Sequence, residues 1–386
     1  MGRLRGRVTQ SKTSFDVIQY FSRLSLLFVL GLGLACSSTS SPYNWPEADT
    51  ERTPEREARI QNGLAELDSY LRQQIQRGVT PGAAVSIVYD DQVLYEKAYN
   101  QSVHRPYAVL SFTKTFTALA VLRLAEAGKL NLDQTAGSIL GATLEDPAFR
   151  AQPITVRHLL THTSGIPDSG PQKKLSLYPV AYVPHQNHLA GSKFQYSNPG
   201  YRLLGMIVEK TSGQPVQAFI TEQLLRPLEM NGTRFSVRSN GASGMVSSIS
   251  DLSNYVELYI NRGEFRGKRI ISEKHFYELF TTPTKTAQCE YSEHRGIAWR
   301  VQTYRDRVFL MNHAALGMGV GGMIQVFPGQ KIGFVFLSNP PTYNDERFLR
   351  FYKDLRGRLN SFAANVGEMD IEAGSRTPCA IDTVPW

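Results

Sequence analysis

Cysteine is scarce in this chain of 386 residues, which contains three: Cys36, Cys289 and Cys379. None of them lies in a C-x-x-C motif. If Cys36 is used for another purpose, at most one internal disulfide can form. In an oxidising compartment Cys289 and Cys379 would be able to pair, and the sequence leaves that pair and two free thiols equally open.

The N-terminal apolar stretch is too short to cross a membrane. It covers residues 24–35, LSLLFVLGLGLA, whereas a helix across a bilayer needs about 20 residues. Basic residues precede it and Cys36 follows it, which is the pattern of an export signal. The run LGLGLAC resembles the lipobox of bacterial lipoproteins. We expect a signal peptide at 1–35 and lipidation of Cys36, with plain secretory cleavage and an uncleaved anchor as alternatives.

The segment after Cys36 has no hydrophobic period. Residues 36–56 are rich in Ser, Pro and charge, which is typical of a flexible tether. Ser37 and Ser38 stand where an Asp would signal retention in the inner membrane. We therefore expect a membrane-anchored lipoprotein that faces the periplasm, in the outer rather than the inner membrane of a cell that has both.

A run of lysines and arginines is also missing, although the formal net charge is +8. Much of the excess precedes Cys36, where five basic residues accompany one acid. Beyond it there is no basic stripe interleaved with aromatic residues. The sequence therefore argues against nucleic acid as a partner.

Short β-rich runs lie at both ends of the region after the tether. They are residues 83–89, 92–99, 296–302, 307–313, 322–327 and 331–339. Residues 112–280 between them have mainly helical spacing, starting with an amphipathic helix that closes at Gly128. This predicts an α+β fold, with an antiparallel β-sheet from both ends of the chain, flanking N- and C-terminal helices, and a large mainly helical insertion.

The same patterns set the domain bounds. A first helix is predicted to begin at Thr53-Pro54, because a capping hydroxyl precedes a proline suited to the first turn. A final helix is predicted at 346–360. We expect one domain over residues 57–360 and an irregular C-terminal tail at 361–386, where no pattern is visible.

Three glycines, Gly317, Gly319 and Gly322, have the G-x-G-x-x-G spacing of a dinucleotide loop. Such a loop must lead into a helix whose N-terminus meets the pyrophosphate. Here Gly322 leads into MIQVFPGQ, which is typical of a strand and a turn. The spacing therefore does not predict a nucleotide cofactor.

Two histidines, His158 and His162, have the i, i+4 spacing of a zinc helix. The residue after the first is Leu159, so the glutamate of H-E-x-x-H is absent. No cysteine or carboxylate cluster nearby completes a ligand set. We expect neither a metal nor another cofactor.

The strongest local signal is SFTK, in which Ser111 and Lys114 are three residues apart at the start of a helix. This spacing places both side chains on one face of the first turn. An amine beside the hydroxyl, together with the helix N-terminus, favours a nucleophilic oxygen. On its own, S-x-x-K is a weak signal, because a serine that caps a helix followed by a solvated lysine gives the same pattern.

Two later stretches add polar groups to this signal. In FQYSNPG, Tyr196 and Asn198 are two residues apart, so both can face one cleft. A phenol with a lowered pKa can move a proton, and a carboxamide can hold a substrate amide. His313 ends the predicted strand RVFLMNH, where its ring is a candidate proton shuttle or anion anchor and small residues follow for a substrate backbone.

These elements in this order resemble the serine β-lactamases and penicillin-binding proteins, in the branch of class C β-lactamases, D-alanyl-D-alanine carboxypeptidases, D-aminopeptidases and esterases. The resemblance runs from PGAAVSIVYDDQVLYEKAY through ITVRHLLTHTSGIP, YSNPGYRLLGMIVEKTSG, RPLEMNGTRF and GMVSSISDLSNYV to the last strand and helix.

The resemblance implies a role for each matched residue. Ser111 would be the acylated nucleophile, Lys114 its activator, and Tyr196 the general base and later acid. Asn198 would position the substrate, and His313 would begin the Lys-Thr-Gly or His-x-Gly motif. The same likeness implies an oxyanion hole formed by two backbone N–H groups, those of the nucleophile and Leu316.

One residue departs from the family pattern. Ala315 stands where members usually carry Gly, and its methyl is expected to narrow the channel on the face shared with His313. A histidine that is mostly neutral near pH 7 should also hold a carboxylate less strongly than a lysine would. Both points argue against efficient β-lactam hydrolysis.

The expected function is hydrolysis of an amide or ester through an acyl-enzyme. The expected substrates are D-amino-acid or peptidoglycan-type peptides of the cell envelope, with esters and β-lactams as alternatives within the family. A hypothesis of another class is an inactive envelope lipoprotein that binds cell-wall fragments or a protein partner, which Ala315 favours.

Overall fold

The structure is a computed structural model, and it describes residues 49–176, 181–237, 239–280, 291–304, 307–317, 319–342, 344–367 and 379–380. The signal peptide, Cys36, most of the tether and Cys289 lie outside these ranges. The predictions about export, lipidation and disulfide pairing therefore stay predictions.

Helices dominate the middle of the chain, and the long strands lie towards its two ends. The helices are α1 (Pro54–Gln76), α2 (Thr113–Glu126), α3 (Ala136–Leu140), α4 (Val156–Leu160), α5 (Asn198–Ser212), α6 (Val216–Ile220), α7 (Ile249–Ile260), α8 (Glu273–Tyr277) and α9 (Glu346–Gly367). The strands are β1 (Ala83–Tyr89), β2 (Gln92–Tyr99), β3 (Tyr107–Ala108), β4 (Gln172–Leu175), β5 (Ala181–Pro184), β6 (Arg234–Phe235), β7 (Met245–Ser247), β8 (Glu264–Phe265), β9 (Lys268–Arg269), β10 (Tyr291–Arg295), β11 (Arg300–Tyr304), β12 (Arg307–Gly317), β13 (Val320–Phe327), β14 (Ile332–Ser338) and β15 (Cys379–Ala380).

An eight-stranded sheet forms the centre of the domain, in the order β15-β10-β11-β12-β13-β14-β1-β2. Its pairs are antiparallel except the short parallel pair of β10 and β15. The sheet is assembled from both ends of the domain, since Ala83 of β1 lies opposite Ser338 of β14. The predicted α+β architecture is confirmed.

Each face of the sheet is covered by a different set of helices. On one face Phe336 packs in a core with residues of α1 and α9, such as Leu64 and Leu355. The neighbouring Val335 faces the other core, which includes Phe116 of α2 and Tyr255 of α7. Successive side chains of a strand point to opposite faces, so the apolar run of β14 serves both cores.

Helix α2 was predicted to be amphipathic, and this is wrong. All of its residues from Thr113 to Leu122 are buried, because the helix lies inside the larger core. Its polar residues bond to backbone, as when Thr117 Oγ1 donates to the Gly241 carbonyl at 2.7 Å. Satisfied hydroxyls of this kind let a helix be buried on every side.

Two predicted bounds near the chain ends are corrected. Helix α1 begins at Pro54 with Thr53 as its cap, so its first turn occupies the last residues assigned to the tether. Helix α9 continues to Gly367, past the predicted end at residue 360, because Phe362 and Val366 are buried against the sheet. The tail predicted at 361–386 therefore begins with helix and later contributes β15.

Two predicted strands are also corrected. Residues 296–299 form the turn between β10 and β11, in which the Gly296 N–H donates to the Trp299 carbonyl at 3.0 Å. Strand β12 continues past His313 to Gly317, which pairs with Val320. Gly319, with φ at +72°, has the left-handed backbone that glycine adopts freely. The glycine-rich run is thus a β-hairpin.

None of the helices in the described ranges combines the length and the apolar character that crossing a bilayer demands.

Candidate active site

Ser111 lies in a single 3₁₀ turn, Leu110–Phe112, that leads directly into α2. Leu110 has a positive φ of 44°, a strained backbone for a branched residue. The turn brings Ser111 Oγ within 3.1 Å of Lys114 Nζ, as the three-residue spacing predicts. The serine and the lysine therefore face each other at the head of a buried helix.

Lys114 is fully buried, with 0% of its surface exposed. Its ammonium also donates to the Ala242 carbonyl at 2.8 Å and lies over the ring of Tyr196. Burial lowers the pKa of Lys114 from 10.5 to about 7, and the nearby Asp168 carboxylate partly opposes this shift. The amine is therefore close to half neutral near pH 7.

Tyr196 lies just before α5 and completes the group. Its Oη is 2.8 Å from Ser111 Oγ. The helix is fixed locally because the Ser197 hydroxyl caps it by accepting the Gly200 N–H at 3.0 Å, with Pro199 in the first turn. Burial raises the pKa of Tyr196 to about 12, so the expected lowering of this pKa is not found.

His313 lies in β12 on the other side of Ser111. Its ring is buried, and Nδ1 is 2.7 Å from the Ala298 carbonyl, which identifies Nδ1 as the protonated nitrogen. Burial lowers the pKa of His313 to about 3. The ring is neutral at physiological pH and does not supply a positive charge for an anion.

The serine, the tyrosine and the histidine face one cavity of about 640 Å³, behind which Lys114 is buried. Its lining includes Ser111, Tyr196, Asn198, His313 and Leu316. The described pairing of β11 with β12 ends at Asn312, opposite Arg300. The following residues of β12 therefore present a strand edge to the cavity, which an extended substrate can approach.

A family model described as Beta-lactamase matches residues 67–358 of the chain. The chain belongs to the beta-lactamase family. The resemblance drawn from SFTK and the later motifs is confirmed.

This beta-lactamase-family protein is similar to proteins of several organisms, of which three are described. The Staphylococcus aureus (strain MRSA252) protein flp is 30% identical over 57% of the chain and 45% of its own length. An Escherichia coli O157:H7 protein, provisionally named a D-alanyl-D-alanine carboxypeptidase, is 28% identical over 59% of each chain. The octameric penicillin-binding protein homologue of Pyrococcus abyssi aligns with a TM-score of 0.62, at 25% identity over 77% of each chain. The chain thus spans about half the length of the two curated relatives, the Staphylococcus aureus and Escherichia coli proteins.

Ala315 does not lie in the wall of the substrate channel, where the sequence predicted it. It is 1% exposed and belongs to the larger core, whereas its neighbours Ala314 and Leu316 line the cavity. A Cβ added at Gly322 would meet the Cβ of Ala315 and the ring of Phe112, each at 3.2 Å. The methyl therefore fills space beneath the serine turn and does not narrow the channel of this family member.

We expect Ala315→Gly to change stability and leave substrate size selection unaltered. Loss of a buried methyl and gain of backbone freedom should cost about 1–2 kcal/mol of the free energy of unfolding. Urea titration measures that loss, and KM for a small and a bulky substrate should each stay within about twofold. A lower KM confined to the bulky substrate would contradict this placement.

Asp168 was missed by the sequence reasoning. Its carboxylate accepts the Asn198 backbone N–H at 2.8 Å and the Asn198 Nδ2–H at 3.1 Å. Asn198 is therefore held by a partner on another loop, and the same carboxylate raises the pKa of Lys114. The clue in the sequence was GIPDSG, a loop acid close after the HTSG segment, which has no distinctive spacing to the other groups.

Asp168→Asn is expected to move the pH dependence of the reaction. Removing the negative charge lowers the pKa of Lys114 further, so the acidic limb of kcat/KM should shift to lower pH. A loosened Asn198 should reduce kcat/KM at pH 8 by about tenfold.

A pH–rate profile between pH 5 and 9 measures both effects. Asp133→Asn is the matched control, because Asp133 pairs with Arg157 outside the cavity lining. An acidic limb that stays in place in Asp168→Asn would contradict the electrostatic role.

The two histidines with zinc-helix spacing bond to backbone. Nδ1 of His158 accepts the Thr155 N–H at 3.2 Å within a capping box. Nδ1 of His162 accepts the Ser197 N–H at 3.0 Å. Within the described ranges no group of three His, Cys, Asp or Glu side chains is placed to hold a metal ion.

Proposed function

We propose that this protein is a serine hydrolase that forms an acyl-enzyme on Ser111. The supporting observation is that Ser111 Oγ lies between the Lys114 amine and the Tyr196 phenol, at 3.1 and 2.8 Å, inside a substrate-sized cavity. A serine with an ordinary pKa is a poor nucleophile. A lysine with a pKa of about 7 can accept its proton as Oγ attacks a carbonyl carbon.

The pKa values support a division of labour between the two groups. The resemblance implied Tyr196 as the base, but a phenol with a pKa raised to about 12 remains protonated near neutral pH. We assign the first proton transfer to Lys114 and donation to the leaving amine or alcohol to Tyr196. The proton that Lys114 took from Ser111 then restores the Tyr196 phenol, which leaves the amine neutral. Water attacks the acyl carbonyl while Lys114 accepts one of its protons, and the bond between the acyl carbon and Ser111 Oγ breaks as Oγ is reprotonated, which releases the acid.

Backbone groups complete the proposal. The oxyanion would lie between the N–H groups of Ser111 and Leu316, which both line the cavity. Leu316 belongs to the part of β12 beyond its pairing with β11, so the edge of this strand is open to a substrate.

The proposed substrates are D-amino-acid or peptidoglycan-type peptides, as for a D-alanyl-D-alanine carboxypeptidase, with esters and β-lactams as alternatives. Basic residues line the cavity: Arg295, Lys353, Arg356 and Arg300, the last of which pairs with Glu293. The described lining residues include no Asp or Glu. This charge favours a substrate with a carboxylate, for which the neutral His313 is a poor partner.

A hydrolysis panel tests the substrate class. The full-length protein is incubated with D-Ala-D-Ala peptides, D-aminoacyl amides, p-nitrophenyl esters and a chromogenic cephalosporin. We expect release of D-alanine with the highest kcat/KM in the panel. Activity confined to the esters would overturn the peptide assignment and leave the hydrolase assignment in place.

The non-catalytic hypothesis loses its main support. It rested on Ala315, and the methyl of that residue lies in the core and not in the cavity wall. A protein that only binds cell-wall fragments would have no use for a buried lysine that contacts a serine.

We also propose that the protein acts at the cell envelope, anchored by lipid on Cys36 in the outer membrane. This rests on the basic N-terminus, the short apolar stretch and the cysteine that follows it. Incorporation of radiolabelled palmitate into the wild type, and its absence from Cys36→Ser, is the expected result. Equal labelling of both would overturn the anchor.

A further inference from the structure

His162 has an unusual backbone and a deeply buried ring. It follows α4 with φ at +58°, the left-handed region that residues with a Cβ seldom adopt. Its side chain and backbone are 6% exposed. Such backbone strain persists only where the surroundings hold the residue in place.

Both chain neighbours of Tyr196 donate their N–H groups to His162. The Gln195 N–H donates to the His162 carbonyl at 2.7 Å, and the Ser197 N–H donates to His162 Nδ1 at 3.0 Å. One residue thus holds the backbone on each side of the phenol. Since Nδ1 accepts, the ring is neutral and carries its proton on Nε2.

The imidazole also packs on the phenol itself. The rings of His162 and Tyr196 are stacked, with centroids 4.5 Å apart and planes at 28°. Phe194 and Tyr201 contact the remaining sides of the imidazole at centroid distances of 5.7 and 4.8 Å. Burial, with the charges of Lys114 and Arg295 nearby, holds the pKa of His162 well below its usual range. This direction agrees with the neutral imidazole that the accepting Nδ1 requires.

We propose that His162 is the positioning residue for Tyr196, which it holds by two backbone hydrogen bonds and a ring stack at the distance from Ser111 that proton transfer requires. This rests on the proposed hydrolase function. The 2.8 Å contact between Tyr196 Oη and Ser111 Oγ depends on a loop that has no regular secondary structure of its own. The contacts with His162 fix the position of this loop in place of a helix or a strand.

Two substitutions separate the contributions. His162→Asn keeps an acceptor for the Ser197 N–H and a residue that tolerates positive φ, but removes the ring. His162→Phe keeps a ring against Tyr196, but leaves the Ser197 N–H without its acceptor. His158→Asn is the matched control, since His158 Nδ1 likewise accepts a backbone N–H, in the α4 cap, and does not line the cavity.

The readouts are kcat and KM for a D-aminoacyl amide, whose amine must be protonated to leave, the rate of labelling by a fluorophosphonate, and the melting temperature. A shift of the phenol by about 1 Å should lower kcat by about tenfold in His162→Asn and about 100-fold in His162→Phe, with KM within about threefold of wild type. Fluorophosphonate labelling uses Lys114 as the base and expels fluoride, which needs no proton from Tyr196, so its rate should stay within about threefold of wild type. His158→Asn should lower the melting temperature and leave kcat unchanged.

A folded His162→Asn variant with kcat within threefold of the wild type would overturn the proposal. If His162→Phe does not fold, the result for His162→Asn is sufficient by itself. If the wild type neither labels nor hydrolyses, the proposed function fails. The positioning role is then read from a crystal structure of His162→Asn. A separation of Tyr196 Oη and Ser111 Oγ beyond 3.5 Å would support the role, and an unchanged distance would overturn it.

Discussion

Ser111→Ala is expected to abolish covalent labelling by fluorophosphonates and to lower kcat/KM by about 10⁴-fold or more, the usual scale for losing a nucleophile. Ser111 Oγ is the shared partner of Lys114 and Tyr196, so its removal leaves both proton-transfer groups with nothing to act on. Intact-mass spectrometry of the treated protein measures the adduct.

Ser192→Ala is the control for this loss. Ser192 is exposed, and its hydroxyl donates to the Leu189 carbonyl outside the cavity lining. The control should label and hydrolyse as the wild type does. An adduct of unchanged yield in Ser111→Ala would show that another residue is the nucleophile and would reject the proposed mechanism.

Lys114→Met is expected to lower kcat/KM by about 10³-fold and, at the same time, to raise the melting temperature at pH 7. The activity falls because the base is removed. In the wild type, kcat/KM should rise with pH through the Lys114 pKa of about 7, and the variant should lack this limb.

The stability gain follows from the direction of the pKa shift. The folded pKa of Lys114, about 7, lies below its ordinary value of 10.5, so folding releases a proton between these pH values. The buried amine therefore destabilises the wild type most at and below pH 7, and this penalty disappears as the pH approaches 10.5. The advantage of Lys114→Met should shrink accordingly between pH 7 and pH 9.

Lys173→Met provides a matched control with the opposite sign. Lys173 is largely buried as well, but it pairs with the Asp146 carboxylate at 2.8 Å. Removing it takes away the cationic partner of a carboxylate that otherwise contacts His185 Nδ1 and the Gln186 N–H, and should lower the melting temperature. If Lys114→Met also lowered the melting temperature at pH 7, burial would not be destabilising the charged form of the amine, and the lowered pKa that the proposed mechanism requires would be contradicted.

Local patterns were sufficient for the outer elements of the fold. The hairpin of β1 and β2 has the predicted bounds, because two β-rich runs flank Asp90, whose φ of +58° suits a tight turn. Thr53 and Pro54 gave the start of α1 for a similar reason, since a cap and a proline act on the backbone within a few residues.

The spacing in SFTK predicted that Ser111 and Lys114 would meet, and family order suggested that Tyr196 would join them. The roles of Asp168 and His162 were not predictable in this way, because their contacts link loops distant in the sequence. The error about Ala315 has a similar origin. Alternation places Ala315 on the same face of the strand as His313, but it does not tell where along that face the cavity ends and the packed core begins.

The pairing of Ala83 with Ser338 has a consequence for how the protein is made. Strand β1 leaves the ribosome early, whereas β14, which covers one of its edges, is synthesised near the end of the domain. Contacts between such distant segments form slowly. The nascent chain therefore carries an exposed apolar strand edge for most of its synthesis, so folding follows completion of the chain and a prematurely terminated product would be prone to aggregation.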